Sequence, residues 1–450
     1  MSRLMMIALV LLLAACGTEA EQADAPGMVS MAVTGGDAPA AGEVDAVLVG
    51  DLLGRIDADT AILWLSLEAV PQPLLDQIWD SVGEMSDAQR EGFAEMTDGV
   101  DEPLLRALLA ELEQLDSPEA YAERGLDANG VGGLHLAGIF PMLHWELSDQ
   151  QAFIATLERI EEEADSPMPR RQVGDEEVIW IEFEELGLAI HHDANFMSLG
   201  LIADREELLR RVANLVQPAA PLAREEVDAF SADRGYSQDN FGFLDFQRLL
   251  ALLMDGDDEL LEAARSEGRL GEVATDPACR TELEALTRLF PRKSFGTTEF
   301  DEHALAMSLR LETHNDLGQR LSALADSPVA LTPERAGVAT LGLAINIVAA
   351  RDFGREIVAG WVDNPPQCSL FANIAENASG WQLALNRPIP PLVTNLHGAR
   401  IHLDQFSLSE GMPSDVTGTL AVFMRNPQMM LGMAQMFSPE LAALELTPCG

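Results

Sequence analysis

The chain has 450 residues, 47% of them apolar, and carries 74 Asp and Glu against 28 Lys and Arg, a formal net charge of −46. That length and apolar content exclude a disordered chain and suit a large core, with two or three domains expected. A polyanion of this size repels phosphates, so no nucleic acid is expected as a partner, and salt, which screens charges beyond about 8 Å, favours the compact state.

Arg3 followed by the twelve uncharged residues Leu4 to Ala15 has the charged start and short apolar segment of a secretory signal peptide, residues 1–15. The run is shorter than the roughly twenty residues a transmembrane helix requires. Leu13-Ala14-Ala15-Cys16 resembles a bacterial lipobox. The resemblance implies cleavage between Ala15 and Cys16, transfer of a diacylglycerol to the Cys16 sulfur, and acylation of the new N-terminus by a fatty acid such as palmitate. Each buried methylene adds roughly 0.8 kcal/mol, so two chains suffice for stable anchoring in a membrane. Gly17 stands where an aspartate would retain a lipoprotein at the inner membrane, which implies an outer-membrane lipoprotein facing the periplasm. Residues 16–43, rich in Ala, Gly, Pro and acidic side chains and without aromatics, are expected to form the lipidated N-terminus and a flexible tether.

Beyond the tether, short apolar strands alternate with amphipathic helices. In chain order the pairs are ILWLSLEAV with PQPLLDQIWDSV, IFPMLHWEL with SDQQAFIATLERI, FMSLGLIA with DREELLRRVANLV, FGFL with DFQRLLALLM, ALAMSLRLE with THNDLGQRLSALA, and TLAVFM with RNPQMMLGMAQMF. Ser148, Asp204, Asp245, Asn315 and Asn426 are placed to accept from the free amides of the following helical turn, and Pro427 suits a first helical position. Glu176 to Ile202 reads as strands without helices, with alternation at Val178, Trp180, Glu182 and then Leu188, Ile190, His192 predicting a hairpin that turns near Glu185 to Gly187. The expected class is α+β: mixed, largely antiparallel sheets with helices on one face, built from recurring strand-cap-helix units. The Pro/Ala-rich and then acidic stretch Val216 to Gln238 is the expected boundary, with a first domain at 44–216 and a second at 236–450.

With Cys16 assigned to the anchor, Cys279, Cys368 and Cys449 remain, and export would place them where disulfides form. Cys449 lies one residue from the end, where ordering is least assured, so the expected pair is Cys279 with Cys368. Closing that loop of roughly 90 residues would stabilise the fold by about 4 kcal/mol. Cys449 is left as a free thiol or a bridge to another chain.

The series VDAVLVGDLLGRIDADTAILWLSLEAVPQPLLDQIW, GVGGLHLAGIFPMLHWELSDQQAFIATLERIE, DPACRTELEALTRLFPRKSFGTTEF and NPPQCSLFANIA resembles large exported bacterial lipoproteins carrying a domain of unknown function. Shared features are an opening strand followed by Pro-x-Pro and a helix, a Gly-rich strand with a Phe-Pro break, and two cysteines in these contexts. The resemblance covers most of Val44 to Gly450 and implies location, fold and the Cys279–Cys368 pairing. It carries no settled activity, and Cys449 has no counterpart in it.

Chemistry-bearing motifs are sparse. The chain has no Gly-x-Ser-x-Gly elbow, His-Glu-x-x-His helix, phosphate-cradling loop or dinucleotide fingerprint. His191-His192-Asp193 has metal-ligand residue types, but neighbours on a strand point to opposite faces, and it reads as a strand end with exposed side chains. His144 beside Trp145 and Glu146, and His397 with His402, lack a third ligand at motif spacing. Asp127-Ala128-Asn129-Gly130 and Asp255-Gly256-Asp257-Asp258-Glu259 do not continue into a calcium loop and read as a solvated turn and a helix start. Met429, Met433 and Met436, at i, i+4 and i+7 and close to Met424 and Met430, could bind Cu(I) as thioethers but share the spacing of a core stripe, which is the expectation here. No catalytic residue, metal or cofactor is therefore expected.

Two classes of function follow. The expected one is a noncatalytic, lipid-anchored envelope lipoprotein that binds a protein, peptide or lipid ligand or serves as a scaffold. The alternatives are an envelope hydrolase with a nonstandard carboxylate site, which would show paired acids with raised pKa values, or a lipid carrier with an enclosed apolar cavity.

Overall fold

The computed structural model describes residues 45–70, 102–183, 186–236, 240–266, 276–300, 305–324, 339–409 and 412–428, with isolated positions at 75, 76 and 79. The described residues divide into two compact units, one running up to Leu252 and including Ser294–Arg310, the other built from Leu253–Lys293 and from Leu311 onward. The architecture is α+β, with a ten-stranded and a three-stranded sheet.

In the first unit, helix α1 (Ala46–Gly54) starts at Asp45, whose carboxylate accepts from the Val47 amide at 2.8 Å. Strand β1 (Ile62–Ser66) follows. Helices α2 (Pro103–Glu113) and α3 (Pro118–Glu123) each carry proline at the first helical position, behind caps at Glu102 and Ser117. The meander continues through β2 (Gly132–Ala137), β3 (Phe140–Glu146), α4 (Gln150–Glu163), β4 (Arg170–Val173), β5 (Glu176–Phe183), β6 (Leu186–His192), β7 (Phe196–Ile202), α5 (Glu206–Val212), α6 (Arg224–Arg234) and β8 (Phe241–Asp245), which runs straight into α7 (Phe246–Asp255). Strands β9 (Arg292–Phe300) and β10 (Leu305–Glu312) complete the sheet, whose order is β10-β9-β8-β1-β2-β3-β7-β6-β5-β4. The opening strand β1 is thus internal, paired antiparallel to β2 and to β8. The stretch Val216 to Gln238, the boundary expected from sequence, carries α6, and its described residues up to Tyr236 lie within this unit.

The sheet is covered on both faces, not on one. Leu104, Leu109, Phe153, Leu157 and Ile160 from α2 and α4 pack with Ile179, Ile181, Leu188 and Ile190 on one side. Val49, Leu52 and Leu53 of α1, Ile56 just after it and Val227 of α6 pack with Leu63, Leu65, Phe196, Phe241 and Phe243 on the other. Consecutive residues Val178, Ile179, Trp180 and Ile181 are all buried, so β5 lacks the in/out contrast that its alternation suggested. The expected hairpin pairs β5 with β6 from Phe183↔Leu186 to Ile179↔Ile190. Glycines in β2 make room for both layers. A Cβ on Gly132 would lie 2.4 Å from the Trp145 ring, and one on Gly133 would lie 3.0 Å from Ile56, just past the end of α1.

The expected caps are only partly those observed. Asp149, one residue after Ser148, caps α4 by accepting from Gln151 and Ala152, while the Ser148 hydroxyl donates to Leu126. Asp204 pairs with Arg171, and α5 starts without a side-chain cap. Asp245 does accept from the Arg248 amide at 2.9 Å. Asn315 is already helical, with His314 at the cap position.

The second unit contains α8 (Glu259–Ser266), α9 (Pro277–Leu289), α10 (Asn315–Ser322), β11 (Ala339–Ala344), α11 (Ile347–Asp363), α12 (Ala372–Leu385), α13 (Pro391–Thr394), β12 (Leu396–Ser409) and β13 (Met412–Met424). Its sheet is antiparallel in the order β11-β12-β13. Cys279 near the start of α9 and Cys368 ahead of α12 have their sulfurs 2.06 Å apart, and both are buried. The Glu282 carboxylate accepts from the amides of Gln367 and Cys368, fixing the same junction. Trp361 and Trp381 meet edge-on between α11 and α12, with ring centroids 6.1 Å apart.

Candidate functional site

The lipidation and cleavage residues Cys16 and Ala15 lie outside the described residues, as do Cys449 and the methionines from Met429 to Met436. Among the described residues, no helix is long and apolar enough to cross a membrane, and no group of three or more His, Cys, Asp or Glu is placed to hold a metal ion.

The acidic candidates are engaged in local structure. Asp127 accepts from the Asn129 amide, and the Asn129 side chain clamps both the amide and the carbonyl of Val70. Glu146 accepts from the Val131 amide at 2.8 Å, and burial, with Asp127 and Asp45 adding to it, raises its carboxyl above the usual range. Asp255 makes a two-pronged pair with Arg280 at 2.8 and 2.7 Å, and Asp258 caps α8 through the Leu260 amide.

The histidines are the surprise. Strand pairing places His144 of β3 directly opposite Ser198 of β7, which in turn is opposite His191 of β6. Side chains paired in this way share a face, here the face covered by α1 and α6. His144, Ser198 and His191 are all buried, so the expectation of exposed side chains at His191 is overturned. The reason is that the strand continues under a helical layer that its own sequence does not announce. His191 Nδ1 meets the Glu177 carbonyl at 3.1 Å, and His192, on the opposite face, meets Gln150.

At the centre of this face, His144 Nδ1 and Ser198 Oγ are hydrogen-bonded at 2.9 Å. Arg55, just past the end of α1, donates to the same hydroxyl at 3.5 Å and holds Asp51 at 2.8 Å and Asp193 at 2.7 Å. Its guanidinium also lies over the Phe196 ring, 4.7 Å from the centroid. The Ser198 oxygen accepts from Arg55 and keeps its own hydrogen and a second lone pair for His144 Nδ1. The His135 ring stacks on His144 with centroids 5.5 Å apart. Neither His135 nitrogen, nor His144 Nε2, has a hydrogen-bond partner among the described residues.

Electrostatics follow from burial. Removal from water, with the Arg211 charge adding to it, pushes the His135 imidazole down to about 3. Burial, then His135 and Arg55, holds His144 well below its ordinary value. Both rings are therefore neutral at physiological pH. Burial alone would raise Asp193, but Arg55 and the amides of Asn195 and Phe196 outweigh it and hold the carboxyl below its usual range.

A serine bonded to a histidine has the composition of an activated nucleophile. Here the pair is sealed in the core, with Ser198 1% and His144 2% exposed, and the group behind the serine is a cation that stabilises the hydroxyl oxygen, not a base. The arrangement ties α1 to three strands. It could not be found from sequence, since His144, Ser198 and Arg55 share no motif and are joined only by strand register. A second buried ionic cluster is similar in kind: Glu111 of α2 receives Arg124 at 2.8 Å and Arg159 at 2.6 Å.

Apolar side chains remain open elsewhere. In the second unit Ile401 of β12 pairs with Leu420 of β13, and Val422 lies two residues further along the same face. These three are 44%, 66% and 46% exposed. No family model matches the chain, and no curated protein or solved structure matches it.

Proposed function

We propose that the protein is a noncatalytic, lipid-anchored lipoprotein of the bacterial envelope, held at the outer membrane through Cys16 and facing the periplasm as a binding or scaffold protein. The observation that carries the reading is Leu13-Ala14-Ala15-Cys16 behind a short uncharged run, followed by an Ala/Gly/Pro-rich acidic stretch. Two features of the folded body support it. The Ser198–His144 and Glu111 clusters are spent on internal bonds, and an apolar strand face at Ile401, Leu420 and Val422 offers contact area for a protein, peptide or lipid.

Growth of the producing cells with labelled palmitate tests the anchor. Wild-type protein is expected to take up label and sediment with membranes, and Cys16→Ser to lose both properties. An unlabelled wild-type protein, or a Cys16→Ser protein that stays membrane-bound, overturns the proposal.

A further inference from the structure

The buried histidine pair stands at the place where α1 is fastened to the sheet. Arg55 is the residue that closes α1, and its side chain joins Asp51 of the helix, Asp193 of the β6–β7 turn and Ser198 of β7. Ser198 bonds His144, and His144 stacks on His135. All of these contacts assume neutral rings. Protonated His144 would carry a hydrogen on both ring nitrogens, so that Nδ1–H must donate to the Ser198 oxygen that Arg55 already engages, Nε2–H faces no acceptor among the described residues, and the positive ring lies buried beside the Arg55 guanidinium. The charged groups around the pair are Arg55 with Asp51 on α1, Asp57 in the turn after α1 with its partner Arg211 on α5, and Asp193 on the β6–β7 turn, with His191 next along the cross-strand row. The carboxylates are each committed to an arginine, so none is free to neutralise an imidazolium.

We propose that the His144–Ser198–Arg55 contact is an acid-operated latch: neutral His144 holds α1 down on the sheet, and its protonation on acidification releases that helix ahead of the rest of the unit. Release exposes His144 to water, where it takes up one proton at its ordinary pKa near 6.5. Linkage then requires the opening equilibrium to rise about tenfold for each pH unit below that value.

Amide hydrogen exchange of the full chain at pH 7, 5.5 and 4.5, corrected for intrinsic rates, reads this directly. Opening of the amides of Val49 to Ile56 is expected to increase by about 80-fold between pH 7 and 4.5, while those of Ile181 and Ile190 on β5 and β6 change far less. His144→Gln keeps a bond to Ser198 without titrating, and should flatten the α1 response while leaving β5 and β6 as before. An equal acid response across α1, β5 and β6, or an undiminished α1 response in His144→Gln, overturns the latch. Should His144→Gln fail to fold, the wild-type comparison between α1 and β5–β6 decides by itself.

Discussion

Arg55 and Asp193, 138 residues apart in the chain, meet at 2.7 Å between the end of α1 and the turn joining β6 to β7. The arginine side chain is 3% exposed and the aspartate 32%, so the pair is half inside the protein, and the carboxylate also holds the turn through the amides of Asn195 and Phe196. Removing the carboxylate leaves a buried guanidinium with only Asp51 to balance it. Asp193→Ala is expected to destabilise the first unit by about 2–4 kcal/mol, below the full cost of orphaning a sealed ion because Asp193 is partly hydrated. A urea titration followed by tryptophan fluorescence checks this; a loss under about 0.5 kcal/mol would show that Asp51 suffices.

The buried histidines give stability a definite sign against pH. His135 binds its proton near pH 6.5 when unfolded and only near 3 when folded. The unfolded state therefore holds more protons between these values, and the stability is full above 6.5 and lost as pH falls toward 3. The whole shift corresponds to something on the order of 5 kcal/mol. His135→Phe preserves a buried ring beside His144 and should shrink the difference in urea midpoint between pH 7 and 4. An unchanged difference would assign acid sensitivity to other groups.

Glu111 is a buried carboxylate shared between two arginines of unequal exposure, Arg124 at 8% and Arg159 at 47% of their side chains. Burial alone would raise its carboxyl, but the bond from Arg159 and the charges of both arginines hold it below the usual range. Glu111→Gln strands the buried Arg124 and is expected to cost about 3–5 kcal/mol, whereas Arg159→Met, at the exposed end, should cost under about 1 kcal/mol. Thermal denaturation of both variants measures the asymmetry; equal losses would contradict it.

Cys279 and Cys368 are separated by 89 residues. On the chain-entropy account, opening a loop of that length by reduction should destabilise the second unit by about 4 kcal/mol. Denaturant midpoints with and without reductant, compared with a Cys279→Ser/Cys368→Ser double variant, test it. Should reduction leave the midpoint unchanged, Glu282 with its two amide bonds is sufficient to hold the junction.

Much of the local structure was legible in the sequence. The strand-then-helix order through IFPMLHWEL–SDQQAFIATLERI or FGFL–DFQRLLALLM follows from side-chain period and from acids near helix starts, and both are short-range signals that survive without knowing the fold. Even there the capping residue slipped by one, from Ser148 to Asp149, because both can accept and backbone geometry chooses between them. His191 was misread because alternation along a strand reports which side chains share a face, not whether that face is covered.

The sequence by itself therefore determined several of the strand-then-helix units, the β5–β6 hairpin and the α+β class. The acidic balance and the lipobox-like start were also plain in it. Only the tertiary structure decided that β1 lies inside a ten-stranded sheet, that helices cover both faces of it, and that Arg55, Ser198, His144 and His135 meet. The physical reason is that strand pairing between residues more than 50 apart depends on register and loop closure across the whole chain, which no local pattern encodes.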